Sequence, residues 1–321
     1  DTDGQSEADE NSTGDGDPGD GDPGDGDPGD GDPGDGDGDG DPPDVDYAEG
    51  LEAKAICTNA SGSCALKLDG TLACWGGLEV QVDDLATNYV ALSEWCGFAV
   101  TTDGEIIHYL GSMAEFQFDS PPYVSVMGNG ANTCAIRADG EFDCWLPNAD
   151  DPGAEPVPDG PAVAFSSGFS TACLLRPSHE VACWTLFDDN TIPGCKVPPV
   201  SPPGQFRYLH VRCGEVVLID EQGVVQHWSF TDETLAALTA FGQGNIKARP
   251  GVDGVYVLQA DGALVLQSGP ELVPVVPGNY SQFAANPGSG QGGHACAIRA
   301  DNQRVVCWGK NDLGQAVPPL E

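Results

Sequence analysis

Short apolar runs alternate with polar residues around a recurring tight turn along most of the chain. The clearest example reads SCALKLDGTLACWGG from Ser63, and similar stretches begin at Thr133, Ala172 and His294. Asp-Gly between two alternating apolar runs is typical of a β-hairpin, because glycine accepts the positive φ that the turn requires. Each stretch therefore predicts two antiparallel strands.

The same hairpin pattern recurs at a regular interval. Three further stretches, which begin at Phe98, Glu215 and Tyr256, keep the pattern without a cysteine pair. Successive turns are separated by 34, 36, 39, 42, 41 and 40 residues, when they are marked by Asp69, Asp103, Asp139, Ser178, Asp220, Asp261 and Asp301. A sustained period near 40 indicates seven copies of one β unit.

The copy that ends the chain carries a family resemblance. The segment GHACAIRADNQRVVCWGKNDLGQ, from Gly293 to Gln315, resembles the repeat of the regulator of chromosome condensation family in its cysteine-bearing secreted bacterial form. The first, third and fourth units match over the hairpin, and the second, fifth and sixth match by turn and spacing. The resemblance covers about residues 48–321 and implies an all-β fold, a seven-bladed β-propeller that we place at residues 47–321.

The two ends of this repeat region complement each other. In such repeats Gly-Gln and a proline pair precede an apolar strand and the next cysteine hairpin. The chain stops at GQAVPPLE, from Gly314 to Glu321, and the repeats begin with an apolar strand near Gly50. Joined together they make one repeat, so we expect the propeller to close by pairing of the N- and C-terminal strands, which removes exposed sheet edges.

The twelve cysteines predict structural disulfides in an oxidising compartment, since their number is even and none forms a CxxC zinc or redox motif. Centring the turn places the two cysteines of a hairpin opposite each other. The expected pairs are Cys64–Cys74, Cys134–Cys144, Cys173–Cys183 and Cys296–Cys307. Connectivity of the other four does not follow from sequence, and we expect Cys57–Cys96 and Cys195–Cys213. In the three units without cysteines, His108, His227 and Leu266 occupy the second cysteine position and are interpreted as structural.

Residues 1–46 differ sharply from the rest of the chain. They hold 19 of the 51 acidic residues and no Lys or Arg, mostly in a GDGDP repeat, and residues 47–321 carry 32 acidic and 12 basic residues, a net −20. With nothing apolar to bury, the segment is predicted to be a disordered acidic linker. It resembles the spacers of bacterial surface lipoproteins, which leaves a lipid anchor upstream of Asp1 as an expectation. Weak calcium binding by its aspartates is the alternative.

Several functional classes have little support in the sequence. No basic cluster exists to bind nucleic acid or an anionic membrane surface, and no apolar stretch approaches the ~20 residues of a membrane helix. No nucleophile, phosphate-binding or metalloprotease motif is present, and the five histidines are scattered. We therefore expect a monomer that is not an enzyme, with no catalytic or metal site and no cofactor.

The remaining expectation is an extracellular or cell-surface binding module that recognises a protein or a glycan through its longer connectors. These connectors span residues 146–161, 185–206 and 229–250. The last of them has helical character from Thr231 to Gly242, or is a loop with one helical turn. They offer as candidate contacts Phe187, Asp188, Asp189, Phe230 and Phe241. An inhibitor or regulator of a secreted enzyme is the main alternative, because one secreted relative inhibits β-lactamases. An enzyme with an unrecognised site is the weaker one.

Overall fold

The computed structural model describes residues 49–78, 88–110, 122–128, 133–145, 156–168, 170–186, 200–212, 214–251, 254–268, 271–286 and 293–320. The chain divides into two units, residues 1–45 and 46–321, and every described strand belongs to the second unit. Among the described residues no helix is long and apolar enough to cross a membrane.

Consecutive strands form seven antiparallel sheets, each from one continuous stretch of chain. The first four sheets contain β1 (Ala53–Thr58), β2 (Gly62–Lys67) and β3 (Leu72–Gly76); β4 (Tyr89–Leu92), β5 (Phe98–Thr101) and β6 (Ile106–His108); β7 (Tyr123–Gly128), β8 (Thr133–Arg137) and β9 (Phe142–Trp145); and β10 (Ala164–Ser167), β11 (Thr171–Leu175) and β12 (Val181–Thr185). The other three contain β13 (Phe206–Arg212), β14 (Glu215–Asp220), β15 (Val225–Ser229) and β16 (Thr234–Ala237); β17 (Asn245–Pro250), β18 (Val255–Gln259), β19 (Leu264–Ser268) and β20 (Glu271–Pro274); and β21 (Tyr280–Ala285), β22 (His294–Arg299) and β23 (Val305–Gly309).

The predicted hairpins and their disulfides are confirmed. Cys64 lies directly opposite Cys74 with their Cα atoms 4.0 Å apart, and the same pairing joins Cys134–Cys144, Cys173–Cys183 and Cys296–Cys307. Cys57–Cys96 also forms and connects the first sheet to the second. Cys195 and Cys213 lie outside the described residues. His108, His227 and Leu266 occupy the predicted strand positions, opposite Phe98, Val217 and Tyr256.

One hydrogen bond, repeated seven times, links each hairpin turn to another sheet. Gly70 ends its turn with φ +88°, and its carbonyl accepts a hydrogen bond of 2.7 Å from the N–H of Tyr89, where the second sheet begins. Equivalent bonds run from Tyr123 to Gly104, Ala162 to Gly140, Phe206 to His179, Asn245 to Gly223, Tyr280 to Gly262 and Ala53 to Gln303. All seven accepting residues have positive φ, a conformation that favours glycine.

The ends of the chain meet differently from the prediction. Each sheet of the described residues consists of consecutive strands, so none of them combines strands from both termini. An isolated antiparallel bridge joins Glu52 to Arg304, and the N–H of Leu51 donates to the carbonyl of Pro319 at 3.0 Å. Proline has no N–H to donate, so the segment containing Pro318 and Pro319 cannot extend a strand ladder.

The core lies between the faces of neighbouring sheets. Leu66 and Leu72 of the first sheet pack against Tyr89 and Ala99 of the second, and Cys173 of the fourth contacts the cluster that Val211 and other residues of the fifth sheet form. The seventh sheet packs against the first through β21, β22 and β1. Alternating apolar positions on both faces of each sheet supply these layers.

The connector from Thr231 to Gly242 contains no α-helix. Residues Thr234–Ala237 form β16 as a fourth strand of the fifth sheet, and Thr239–Phe241 form one 3₁₀ turn. The helical prediction is therefore wrong except for that single turn. Pairing with the free edge of β15 supplies backbone hydrogen bonds that a short isolated helix would have to supply alone.

Candidate functional site

In six of the seven sheets the first strand exposes its second residue. The register shifts there between the first and third residues of this strand, and such a β-bulge leaves the intervening residue out of the ladder. In the fourth sheet the exposed residue is Val163, which directly precedes β10 without a register shift. We call these seven residues the bulge ring; all are exposed, and they are Lys54, Val90, Val124, Val163, Arg207, Ile246 and Ser281.

The bulge ring concentrates exposed aliphatic side chains in one place. Val90, Val124, Ile246 and Val163 are 48–57 % exposed, and they supply four of the ten large hydrophobic side chains exposed among the described residues. First strands of successive sheets pack side by side, as β4 does with β7 and β7 with β10. The three valines therefore lie at corresponding strand ends of three neighbouring sheets, the ends nearest the hairpin turns, and we call them the valine arc.

Carboxylates of the hairpin turns lie at the same strand ends as the bulge ring, and we call them its border. Asp69 and Asp139 are paired with Lys67 and Arg137 at 3.5 and 3.3 Å. Among the described residues no cation pairs with the exposed carboxylates of four other turn residues, Asp103, Glu105, Asp261 and Asp301. The border is therefore acidic, most strongly beside the second, sixth and seventh sheets.

A buried ionic cluster lies farther along the same first strands. The carboxylate of Glu94, which follows β4, contacts Nδ1 of His210 at 3.1 Å, Nη2 of Arg249 at 2.5 Å and Nζ of Lys247 at 3.8 Å. His210 lies on β13 and the two other cations on β17. One carboxylate thus joins the second sheet to the fifth and sixth.

The short loop after β4 holds Glu94 in place. The Ser93 N–H donates to the carbonyl of Phe98 at 2.9 Å, and the Phe98 N–H donates to Oγ of Ser93 at 3.1 Å. Cys96 adopts φ +57° and forms the disulfide with Cys57. This disulfide has no counterpart in the hairpin pairs, and it anchors the loop that carries the cluster's single acid.

Burial and charge act against each other in the cluster. Burial alone would raise the pKa of Glu94, but Arg249, His210 and Lys247 hold that pKa well below its usual value. Burial and the neighbouring Arg249 lower the pKa of Lys247 to about 7. Burial also lowers the pKa of His210, although Glu94 opposes the shift. The carboxylate is therefore ionised and committed to its partners at neutral pH.

Comparisons with known proteins identify the fold. No protein-family model and no curated protein sequence matches the chain. The ectodomain of the Physcomitrella patens receptor kinase CR4 superposes with a TM-score of 0.60 and 18 % identity over 82 % of this chain and 74 % of that one. The CRINKLY WD40 ectodomain of the Arabidopsis thaliana receptor kinase ACR4 gives 0.57 and 18 % over 85 % and 99 %.

A third solved structure is named as a propeller. The β-propeller domain of Myceliophteria thermophila Cps50 (Swd1) has a TM-score of 0.52 and 8 % identity over 82 % of this chain and 99 % of that one. The chain has a β-propeller fold. Identities this low show the fold alone, since propellers carry many unrelated functions.

Other groups in the propeller that resemble reactive sites are structural. Nε2 of His294 lies 2.9 Å from Oγ of Ser63, as in a nucleophile and base pair, but both residues are buried beyond the reach of a substrate. Burial lowers the pKa of His294 to about 4. The sulfur atoms of Cys57, Cys64 and Cys96 lie close together, yet all three belong to disulfides and offer no thiolate to a metal.

Two of the five predicted contact residues are buried, and the other three lie outside the described residues. Phe230 and Phe241 are only 1 % and 2 % exposed, so the prediction that they contact a partner is wrong. Phe230 packs between the fourth and fifth sheets, and Phe241 packs beside Val217 and Val257. A large aromatic side chain in a connector gains more by covering a neighbouring sheet than by facing water. Phe187, Asp188 and Asp189 lie outside the described residues.

Sequence reasoning missed both the bulge ring and the ionic cluster. The bulge ring has a weak signal, because the residue after each buried strand start is a cation, serine or β-branched aliphatic residue. A bulge, however, interrupts the period-two alternation from which burial is inferred. The cluster has no local signal, since Glu94 and Arg249 are separated by 155 positions and meet only in the folded propeller.

Proposed function

We propose that the protein is an exported, non-catalytic binding module built as a closed seven-bladed propeller with repeats of the regulator of chromosome condensation type. The single observation that carries the binding function is the bulge ring, in which four of the seven exposed residues are aliphatic, on an otherwise acidic protein. Exposed apolar patches bordered by polar residues are typical of interaction sites. The aliphatic chemistry favours a protein partner, because the cores of protein interfaces are apolar; a glycan is the second candidate.

Closure into a ring is supported by the repeated turn bond. The seventh copy, from the Ala53 N–H to the Gln303 carbonyl at 2.9 Å, has the same form as the six that join successive sheets. β1 also packs against β21 and β22, where the seventh sheet meets the first. A closed ring leaves few sheet edges open to aggregation.

A non-catalytic role is supported by the way the reactive side chains are used. The partly buried acid Glu94 is bound to three cations, and the Ser63–His294 pair is buried. General acid-base catalysis needs a titrating group within reach of substrate. The pKa of Glu94 is held well below its usual value, and Lys247, with a pKa of about 7, is only 15 % exposed.

Export is supported by the disulfides. Five of them form between described cysteines, four within hairpins and one between sheets. Such bonds persist in oxidising compartments and are rare where thiols are kept reduced. We infer an extracellular or outer-surface location. In an exported protein, residues 1–46 would serve as an acidic linker to that surface.

The test is affinity capture with the immobilised full chain from culture medium and cell-wall extract of the source organism. We expect retention of a defined protein that an unrelated acidic protein on the same resin does not retain. An inhibitor would recover one enzyme in equal amounts and abolish its activity, whereas a glycan receptor would recover polymer. Retention of neither protein nor polymer would contradict a binding function.

A further inference from the structure

We propose that the bulge ring and its acidic border form a docking surface for a basic protein segment that presents an aliphatic side chain flanked by Lys or Arg. This inference rests on the proposed function as a binding module, and it assigns both the surface and the chemistry of the partner. It uses the described hairpin turns and first strands rather than the long connectors.

The aliphatic side chain of the partner is inferred from the arc itself. Val90 and Val124 occupy equivalent bulges on two successive sheets, Val163 directly precedes the first strand of the next sheet, and each of the three is about half exposed. The bulges leave Val90 and Val124 out of the strand ladder, and the Val163 side chain is exposed although its N–H donates to the carbonyl of Leu175. Burying three such side chains against an aliphatic partner residue removes apolar area from water, at ~25 cal/mol for each Å².

The basic flanks of the partner are inferred from the charge beside the arc. Asp103 and Glu105 belong to the turn of the sheet that carries Val90, and Asp261 belongs to the turn of the sheet that carries Ile246. None of the three pairs with a described cation, whereas Asp69 and Asp139 are already paired with Lys67 and Arg137. Two exposed aliphatic residues therefore each lie on a sheet whose turn has unneutralised negative charge.

The net charge disfavours the other common occupants. Residues 47–321, which contain the bulge ring, carry a net charge of −20 and so repel a second copy, an acidic protein and an anionic lipid surface. A basic segment is attracted over long range, and its cations meet the free carboxylates of the border at contact. Charge complementarity thus selects the partner, and the valine arc supplies the desolvated centre of the interface.

The test is selection of random peptides displayed on phage against the immobilised full chain. Selected peptides are then synthesised and titrated against the protein in solution. We expect the selected sequences to combine an aliphatic residue with adjacent Lys or Arg. Their affinity should fall steeply between about 0.05 and 0.5 M salt, because exposed charge pairs are screened.

Two double variants locate the surface. Val90→Ser with Val124→Ser should weaken binding about tenfold or more, since central apolar anchors dominate interface energies. Asp103→Asn with Asp261→Asn should weaken it several-fold and flatten the salt dependence. Val317→Ser with Leu320→Ser is the matched control, because both side chains are exposed aliphatics outside the bulge ring; it should bind like the unchanged protein. Unfolding midpoints establish that each variant is folded.

The outcomes separate the two proposals. Peptides that bind the unchanged protein and both bulge-ring variants equally would overturn the docking surface but leave a binding module. Enrichment of acidic peptides would overturn the inferred partner chemistry. A selection that enriches no peptide on the unchanged protein would count against both the surface and the proposed function. Self-association that Val90→Ser with Val124→Ser abolishes would show a second copy as the occupant and overturn the inference.

Discussion

Glu94 is the residue on which the largest group of buried charges depends. The Glu94 side chain is 24 % exposed, and its carboxylate contacts His210, Lys247 and Arg249. The side chain of Arg249 is only 3 % exposed. Removing one partner of a buried ion pair leaves the other charge without solvent or counter-ion, which costs more than the pair contributes. At the residue scale, the stability of the propeller should therefore respond to this single acid far more than to any surface pair.

Glu94→Gln keeps the size of the side chain and removes its charge. We expect the free energy of unfolding to fall by about 3 kcal/mol, the lower end of the range for broken buried pairs, because Glu94 is partly exposed. Urea denaturation of the purified protein measures the change. Asp312→Asn is the matched control, since Asp312 pairs with Lys310 at 3.2 Å on the surface, and it should lose nothing measurable. Equal losses in both variants would contradict the role assigned to the cluster.

The lowered pKa of Lys247 predicts a specific dependence of the free energy of unfolding on pH. The unfolded chain holds the Lys247 proton up to about 10.5, whereas in the folded protein burial and Arg249 lower the pKa to about 7. Between these values the unfolded state binds more protons, so the Lys247 contribution makes stability rise with pH. Lys247→Met should abolish this rise between pH 7 and 9, measured as the denaturation midpoint of the two proteins across that range. Lys54→Met, an exposed bulge-ring lysine, should retain it.

At the element scale, disulfides within a hairpin and the disulfide between two sheets contribute differently to stability. The hairpin bonds join strands that already pair, with cysteines 10 or 11 positions apart, whereas Cys57–Cys96 spans 39 positions and joins two sheets. A longer closed loop removes more entropy from the unfolded chain. The Cys57–Cys96 bond also anchors the loop that positions Glu94. The inter-sheet bond should therefore matter more than any hairpin bond.

Replacing both cysteines of each kind by serine tests this ranking. Loss of Cys57–Cys96 should lower the free energy of unfolding by about 4 kcal/mol, and loss of Cys64–Cys74 by about 3 kcal/mol, from loop length alone. The first variant should also lose the Lys247-dependent rise of stability with pH, because Glu94 and its partners would no longer be held together. The hairpin variant should keep that rise. If the Cys57–Cys96 variant keeps the rise and the hairpin variant loses it, the loop holds its position without the inter-sheet bond.

At the scale of the whole molecule, the last residues of the chain are part of the structure near its start. The carbonyl of Gln315 accepts hydrogen bonds from Nε1 of Trp75 at 2.9 Å and from Oγ of Ser63 at 3.2 Å. Pro319 accepts from the N–H of Leu51. These contacts join the last repeat to the first sheet and act beside the turn bond from Ala53 to Gln303.

Deletion of residues 312–321 should therefore destabilise the entire propeller cooperatively rather than fray one end. We expect a lower denaturation midpoint for the whole protein. Hydrogen exchange measured across the chain should show lower protection in every disulfide-bonded sheet. Deletion of only residues 320–321 is the control, because Leu320 is exposed. Loss of protection confined to the seventh sheet would contradict a joined ring.

The repeating unit of this protein is encoded by local features of its sequence. Turn chemistry and period-two alternation are local properties, so the hairpins, the pairing of Cys64 with Cys74 and the strand positions of His108 and His227 could all be predicted. Which surfaces remain exposed and which distant charges meet depends on tertiary contacts. Phe230 and Phe241 are buried because neighbouring sheets cover them, Val90 is exposed because a bulge removes it from the ladder, and Glu94 meets Arg249 because the folded propeller brings the second and sixth sheets together. None of these depends on residues close in sequence.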